Sequence, residues 1–381
     1  MRDFPSLCDV NTCTYCRACS SSCSKNAISF KKDKFGFFYP VVNRELCVGC
    51  HLCEKSCPIL NTPQGGGTPK VYAAYSKKSS VVKTSSSGGI FYELAKTILE
   101  NYGVVYGVKY ISGNIFHAKV DSLVELESTK GSKYVQSEMG NTYKEIKKHL
   151  EQGRRVLFSG TPCQIAGLRS FLHKDYSRLL LTCEVICHGV PSKDVLNQCL
   201  TLLGVDNSEV DSIIFRDTKL WNFRSIVKFK NGKHKQLFFS PDIYMKLFMR
   251  TLIYKNICYS CPFATVPRFA DITIGDFWGV KSSEKFSVNK SGTSVILLNT
   301  QNGENAFNKI KERLEYEQRN LQEAIIYNKN IISPTVLPVD RETLLNDLFL
   351  LPKAEFINKY KLNNTLRNYV GYFLRSLKSL I

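Results

Sequence analysis

No stretch of the 381 residues approaches the ~20 consecutive apolar positions that a membrane-spanning helix needs. The opening MRDFPSLCDV lacks the basic-then-apolar pattern of an export signal, so a cytoplasmic protein is expected. Carboxylates are also short: 33 Asp and Glu face 52 Lys and Arg, a formal balance of +19. The basic residues are spread along the whole chain. No recognition motif for nucleic acid accompanies them, so a sequence-specific nucleic-acid binder is not expected. The surplus suits acidic partners: an acidic carrier protein, anionic lipid or a phosphorylated cofactor.

Cysteine, by contrast, is abundant, with 15 residues. In a reducing compartment that number argues for metal or redox chemistry rather than disulfides. The first run, CTYCRACSSSC, places Cys13, Cys16, Cys19 and Cys23 at C-x2-C-x2-C-x3-C spacing. The second, CVGCHLCEKSCP, repeats it at Cys47, Cys50, Cys53 and Cys57, 34 residues on (47 − 13). This is the spacing of bacterial two-cluster ferredoxins, in which the fourth Cys of each run ligates the other cluster. Three thiolates in a tight loop reach three corners of one cube, and the fourth corner is filled from afar. Cys13, Cys16, Cys19 and Cys57 are therefore assigned to one 4Fe–4S cluster. Cys47, Cys50, Cys53 and Cys23 are assigned to the other. Ser24 stands where Pro follows the fourth Cys of the second run, a local backbone difference. Cys8 lies outside both runs and reads as a bystander. The segment AISFKKDKFGFFYPVV between the runs reads as two short strands around a turn. NTPQGGGTPK, residues 61–70, reads as a linker that makes the ferredoxin unit a separable module.

Beyond residue 70 strand and helix signals alternate. KVYAAYS is a strand. TSSSGGIFYELAKTILENYG reads as a helix with Gly88 and Gly89 at its start, where exposed N–H groups and the helix dipole can hold a phosphate. RRVLFSGTPCQIAGLRSFL is strand, turn and helix, with Cys163 in the first helical turn. RLLLTCEVICHGVPS carries Cys183 and Cys187 toward a strand end. Ligands of open α/β sheets bind at such carboxyl ends. Cys258 and Cys261 form an isolated C-x-x-C pair, half of a metal site. Cys163 and Cys187 are the candidates for its other half, with Cys183 in reserve and zinc and iron–sulfur both open. Cys199 reads as core.

Several motifs occur together in this order: KGSKYVQSEMGNTY, LFSGTPCQIAGLRSFL, VICHGVPS, CYSCPFATVPRFADITIGDFWG and SGTSVILLNT. With the cysteine runs they resemble the family of coenzyme F420 hydrogenase/dehydrogenase beta subunits, in its form with an N-terminal ferredoxin domain. The resemblance implies an iron–sulfur flavoprotein oxidoreductase that passes electrons between 4Fe–4S clusters and a flavin/hydride acceptor. It implies FAD, and a third 4Fe–4S cluster on Cys163, Cys187, Cys258 and Cys261. It strengthens a phosphate role for Ser86, Ser87, Gly88 and Gly89, and implies that Lys133, Tyr134, Gln136 and Ser137 line the flavin site. Arg268 is a candidate for a phosphate or an acidic coenzyme tail, or else for an ion pair with Asp271. His188 is either a proton relay or a turn residue. The expected partners are a redox protein or reduced ferredoxin and a small hydride carrier, with coenzyme F420 itself left open. Relatives of this form also suggest a link to cell-surface polysaccharide biosynthesis. The alternative is an electron-carrier or scaffold partner without hydride chemistry of its own.

The expected fold is an α+β ferredoxin-like domain (1–62), an α/β mixed-sheet flavin-binding domain (63–335) and a basic helical tail (336–381). Residues 341–381 hold seven Lys/Arg against three Asp/Glu. Leu366, Tyr369, Val370, Phe373, Leu377 and Leu380 share one helical face there, suited to docking on protein or on a membrane surface.

Overall fold

An eight-stranded mixed sheet organises the chain in the computed structural model, which describes residues 3–216, 225–237 and 242–362. Its strands are β3 (Lys70–Ser76), β4 (Val104–Ile111), β5 (Asn114–Val120), β6 (Val156–Gly160), β7 (Leu180–Val185), β11 (Ile272–Asp276), β12 (Ser294–Leu298) and β13 (Leu314–Arg319). The order across the sheet is β13-β3-β12-β11-β7-β6-β4-β5. The four central strands β11, β7, β6 and β4 run parallel, while antiparallel pairs close both flanks. Strands β6 and β7 read VLFSG and LLTCEV and are buried almost throughout. That is the near-continuous apolar run of a strand covered on both faces. Alternate residues of β6 separate accordingly. Val156 and Phe158 pack with Ile165 and Leu168 of helix Pro162–Leu172, whereas Leu157 packs with Leu94 and Ala95 of helix Ile90–Glu100. A small antiparallel sheet holds β8 (Val210–Ile214), β9 (Ser225–Phe229) and β10 (His234–Leu237).

The N-terminal unit forms one hairpin, β1 (Ile28–Lys32) with β2 (Phe38–Val42), and two short helical turns, Ala18–Ser22 and Leu52–Lys55. It packs against the rest of the chain. Phe35 and Phe37 at the hairpin turn are 6% and 4% exposed and share a core with Val195, Leu196, Leu344 and Leu345. Tyr15 and Arg17 both bond Glu138, and Lys255 donates to the Phe38 carbonyl. The expected linker is itself packed, because Gly66 N–H donates to the Arg268 carbonyl at 2.7 Å and Gly67 N–H to Asn299 at 3.2 Å. An added Cβ at Gly66 would sit 2.4 Å from the Asn299 carbonyl, so this glycine serves close approach rather than freedom.

In the tail, helices Arg341–Leu350 and Lys353–Lys359 bury Leu344, Leu345, Leu348 and Phe356 in the same core. The apolar helical face expected for 366–380 lies outside the described residues. Among the described residues no helix is long and apolar enough to cross a membrane.

Candidate functional site

The two cysteine loops of the N-terminal unit curl by the same device. Tyr15 and Arg17 have φ of 58° and 65°, and Gly49 and His51, at the same places in the second run, have 70° and 56°. Left-handed residues between the cysteines turn the loop inward, so that successive thiols face one cavity. Cys13, Cys16, Cys19 and Cys57 line one such cavity, together with Cys8. Cys23, Cys47, Cys50 and Cys53 line another. Backbone N–H groups already point at the sulfurs: Tyr15 N–H at Cys13 (3.2 Å) and Ala27 N–H at Cys23 (3.3 Å). Cys8, read from the sequence as a bystander, lies on the wall of the first cavity with its sulfur 3.6 Å from that of Cys57.

A third cavity is lined by Cys163, Cys187, Cys258 and Cys261. Cys163 sits in the first turn of helix Pro162–Leu172, Cys187 follows the end of β7, Cys258 lies in the turn Asn256–Ser260 and Cys261 directly follows it. Cys183 is elsewhere, fully buried among Leu157, Leu181 and Ile272. Strand β7 stops at Val185, so a two-residue strand alternation does not carry from Cys183 to Cys187. Cys199 is core, as expected. Four thiolates on one zinc ion sit roughly 3.8 Å apart. Among the described residues no three His, Cys, Asp or Glu side chains converge on a single ion.

Burial dominates the electrostatics. It pushes the Cys163 and Cys187 thiols up, and that of Cys258 up to about 12. Cations oppose this push: Arg268 at Cys187 and Cys261, and Lys255 at Cys13 and Cys258. Lys255 therefore stands between the first and third cavities, a role that sequence reasoning missed. The signal was a cation three residues before Cys258. Thr14 lines both cavities. Cys16 packs so tightly on helix Pro162–Leu172 that a Cβ at Gly167 would lie 2.9 Å from its sulfur.

Beside the third cavity opens a cleft of about 270 Å³ at the carboxyl ends of the central strands. The two share Thr161 and residues 187–190, His188 among them. Ser86, Ser87, Gly89, Lys133, Tyr134, Gln136 and Ser137 line the cleft. So do Gln164, Asp276 and Trp278, which sequence reading did not assign to it. The strand-end rule alone pointed to Asp276, the last residue of β11. Ser137 is fixed on both sides: it bonds His117 Nδ1 at 3.0 Å and accepts from Gln164 Nε2 at 3.1 Å. Gln164 in turn accepts from the Thr161 N–H at 2.9 Å. Lys133 Nζ donates to the Thr129 and Lys130 carbonyls at 3.0 and 2.8 Å, and burial pushes its pKa down to about 7. Burial likewise pushes His188 down.

Two of the expected cofactor residues are not on the cleft. Gly88 donates its N–H to Ser294 Oγ at 2.9 Å, and an added Cβ would lie 2.4 Å from the Ala74 carbonyl. It is a close-packing glycine whose N–H is already used. Arg268 is fully buried and ion-paired with Glu184, not with Asp271. It also donates to the Ile331 carbonyl at 3.1 Å. Asp271 instead accepts from Thr182 and Thr300 and faces Arg169.

Residues 12–60 match the 4Fe-4S dicluster domain. With two such cavities in its N-terminal unit, the molecule is an iron–sulfur electron-transfer protein of the oxidoreductase type. Residues 153–324 match the C-terminal region of the coenzyme F420 hydrogenase/dehydrogenase beta subunit. The chain thus joins a region similar to that family to a dicluster domain. A component of the F(420)H(2) dehydrogenase of Methanosarcina mazei is 22% identical over 319 residues, 80% of this chain and 84% of that protein. The ferredoxin-type protein NapF of Escherichia coli strain K12 is 43% identical over 44 residues, 12% of this chain and 27% of that one. A solved chain of the F420-reducing NiFe hydrogenase complex from Methanosarcina barkeri aligns with a TM-score of 0.47 at 16% identity, covering 78% of this chain and 92% of that chain.

Proposed function

We propose that this protein is an iron–sulfur flavoprotein that passes electrons between ferredoxin-type clusters and a hydride carrier. Cys13, Cys16, Cys19 and Cys57 hold one 4Fe–4S cluster, and Cys23, Cys47, Cys50 and Cys53 the second. Cys163, Cys187, Cys258 and Cys261 hold a third. The observation that carries this reading is the continuity of the cavities. Thr14 joins the first to the third, and Thr161 with Cys187 joins the third to the cleft.

The cleft fits FAD by two features. Ser87 Oγ is buried without a hydrogen-bond partner among the described residues. The Lys133 ammonium is desolvated, and its acceptors among the described residues are backbone carbonyls. The Ser87 hydroxyl awaits an acceptor such as a phosphate oxygen, and the Lys133 charge, which no carboxylate among the described residues neutralises, suits an anion. When bound, a flavin exchanges a hydride on one side and single electrons on the other. Ser87 and Lys133 hold the phosphates. The bonds from His117 and Gln164 fix the Ser137 hydroxyl on the cleft wall. Tyr134 and Trp278 shape the wall, and His188 stands between cleft and third cavity. The hydride carrier is a small redox coenzyme, of which coenzyme F420 is the first to test. The electron partner is a redox protein. Nothing in the site's chemistry points to polysaccharide synthesis.

Anaerobically purified protein is expected to hold about 12 irons per chain, four per cluster, together with stoichiometric FAD. Cys258→Ser should lower the iron by about four. Eight irons in both proteins would sink the third cluster. Full iron without flavin would leave an electron carrier lacking hydride chemistry.

A further inference from the structure

The first N-terminal cavity has five thiols, one more than a 4Fe–4S cluster uses. Cys8 is 8% exposed, lines the cavity, and lies 3.6 Å from Cys57 through sulfur. That separation is within the range of a sulfur hydrogen bond. Iron-bound thiolate carries no proton, so a ligating Cys57 can only accept. We propose that Cys8 is a built-in part of this site: it keeps its proton and donates an S–H···S bond to the Cys57 thiolate, raising the reduction potential of that cluster. The inference rests on the ligand assignment given above.

The internal repeat supplies an independent comparison. Cys8 precedes Cys13 by five residues (13 − 8), and Val42 precedes Cys47 by five (47 − 42). Val42 lines the second cavity as Cys8 lines the first. Equivalent positions thus present a hydrogen-bond donor to one cluster and an apolar side chain to the other. A donor to a ligand sulfur stabilises the more negative, reduced state, and hydrogen bonds to sulfur are among the recognised controls of cluster potential. Two sites of the same cysteine spacing are thereby made unequal. The more easily reduced one adjoins the third cavity, and the other carries the exposed Cys50. An electron arriving at the exposed cluster is drawn inward.

The test is an EPR-monitored redox titration with iron analysis on anaerobic wild type, Cys8→Ala and Cys8→Ser. Cys8→Ala should keep full iron and shift one N-terminal cluster to a more negative potential, leaving the other unchanged. The serine hydroxyl should return part of that shift. Unchanged potentials in Cys8→Ala would overturn the proposal. So would a loss of four irons, because Cys8 would then be a ligand. Cys57→Ala separates the two layers: if it retains every iron while Cys8→Ala does not, the ligand assignment itself is wrong.

Discussion

Lys133 carries its ammonium to the cleft wall at a pKa lowered to about 7 by burial. An anion bound beside it favours the charged form and raises that value. Above pH 7, binding a phosphate-bearing ligand must therefore take up a proton, and affinity falls as pH rises from about 7 toward 9. Below pH 7 the lysine is already charged and the profile is flat. Without ligand the sign is opposite for stability: the unfolded chain binds the extra proton between about 7 and 10.4, so this residue makes folding more favourable as pH rises through that window. Lys133→Met should weaken FAD binding tenfold or more at pH 6.5, the equivalent of the ~1.5–3 kcal/mol of a charge-assisted bond. It should also flatten the pH profile. Flavin fluorescence titrations across pH check both, and an unaltered profile in the variant removes Lys133 from the phosphate site. Gly89→Asp is a poor probe of the same site. Gly89 has φ of 83°, and its added Cβ would meet Val81 Cγ1 at 2.7 Å, so the substitution strains the fold before it reaches a ligand. At this scale the sequence disclosed residue types and spacing, enough to group the N-terminal cysteines into the two sets that line separate cavities. It could not disclose partners across the sheet. Arg268 meets Glu184, 84 positions away, and nothing local distinguishes that pair from one with Asp271.

Helix Pro162–Leu172 shows what an element adds. Its start was legible: Thr161 caps it, Pro162 opens it and Gln164 completes a capping box. Its other face, which receives the N-terminal unit, was not, because Gly167 reads as an ordinary weak point in a helical pattern. Propensity alone makes Gly167→Ala stabilising by about 1 kcal/mol. The new Cβ would instead lie 2.9 Å from both Cys16 Sγ and Tyr143 Oη. A ligating cysteine has no freedom to retreat, so a cost of about 1–3 kcal/mol from overpacking outweighs the helix gain. Thermal melts of the iron-loaded protein should show a lower Tm for the alanine variant. A higher Tm would mean that the two units do not press together at this point. Strands were legible wherever burial was continuous or alternating, as in β6, β7 and β3. The Gly-rich joint at 61–70 was misread because composition cannot tell a free linker from one laid along a groove.

For the whole molecule, the shared core makes the ferredoxin unit structural as well as electronic. Removing residues 1–62 would strip Phe35 and Phe37 from their core and leave Val195, Leu196 and Leu345 facing water. Large apolar truncations of this kind cost about 3–5 kcal/mol each, a large part of a typical domain's stability. The shortened chain should be insoluble or melt far below the full protein. Solubility and Tm of the truncated product decide this, and a soluble product of unchanged Tm would restore the modular view.

The cavities also differ in how far they stand from the surrounding medium. Cys50 is exposed amid Leu46, Val48 and Leu52 at 51%, 52% and 42% exposure, whereas Cys13, Cys16 and Cys19 are buried behind helix Pro162–Leu172. On the proposed ligand assignment dioxygen would meet the outer cluster first, and the protein would age in air by stages, its surface cluster corroding while the inner ones stay sheltered.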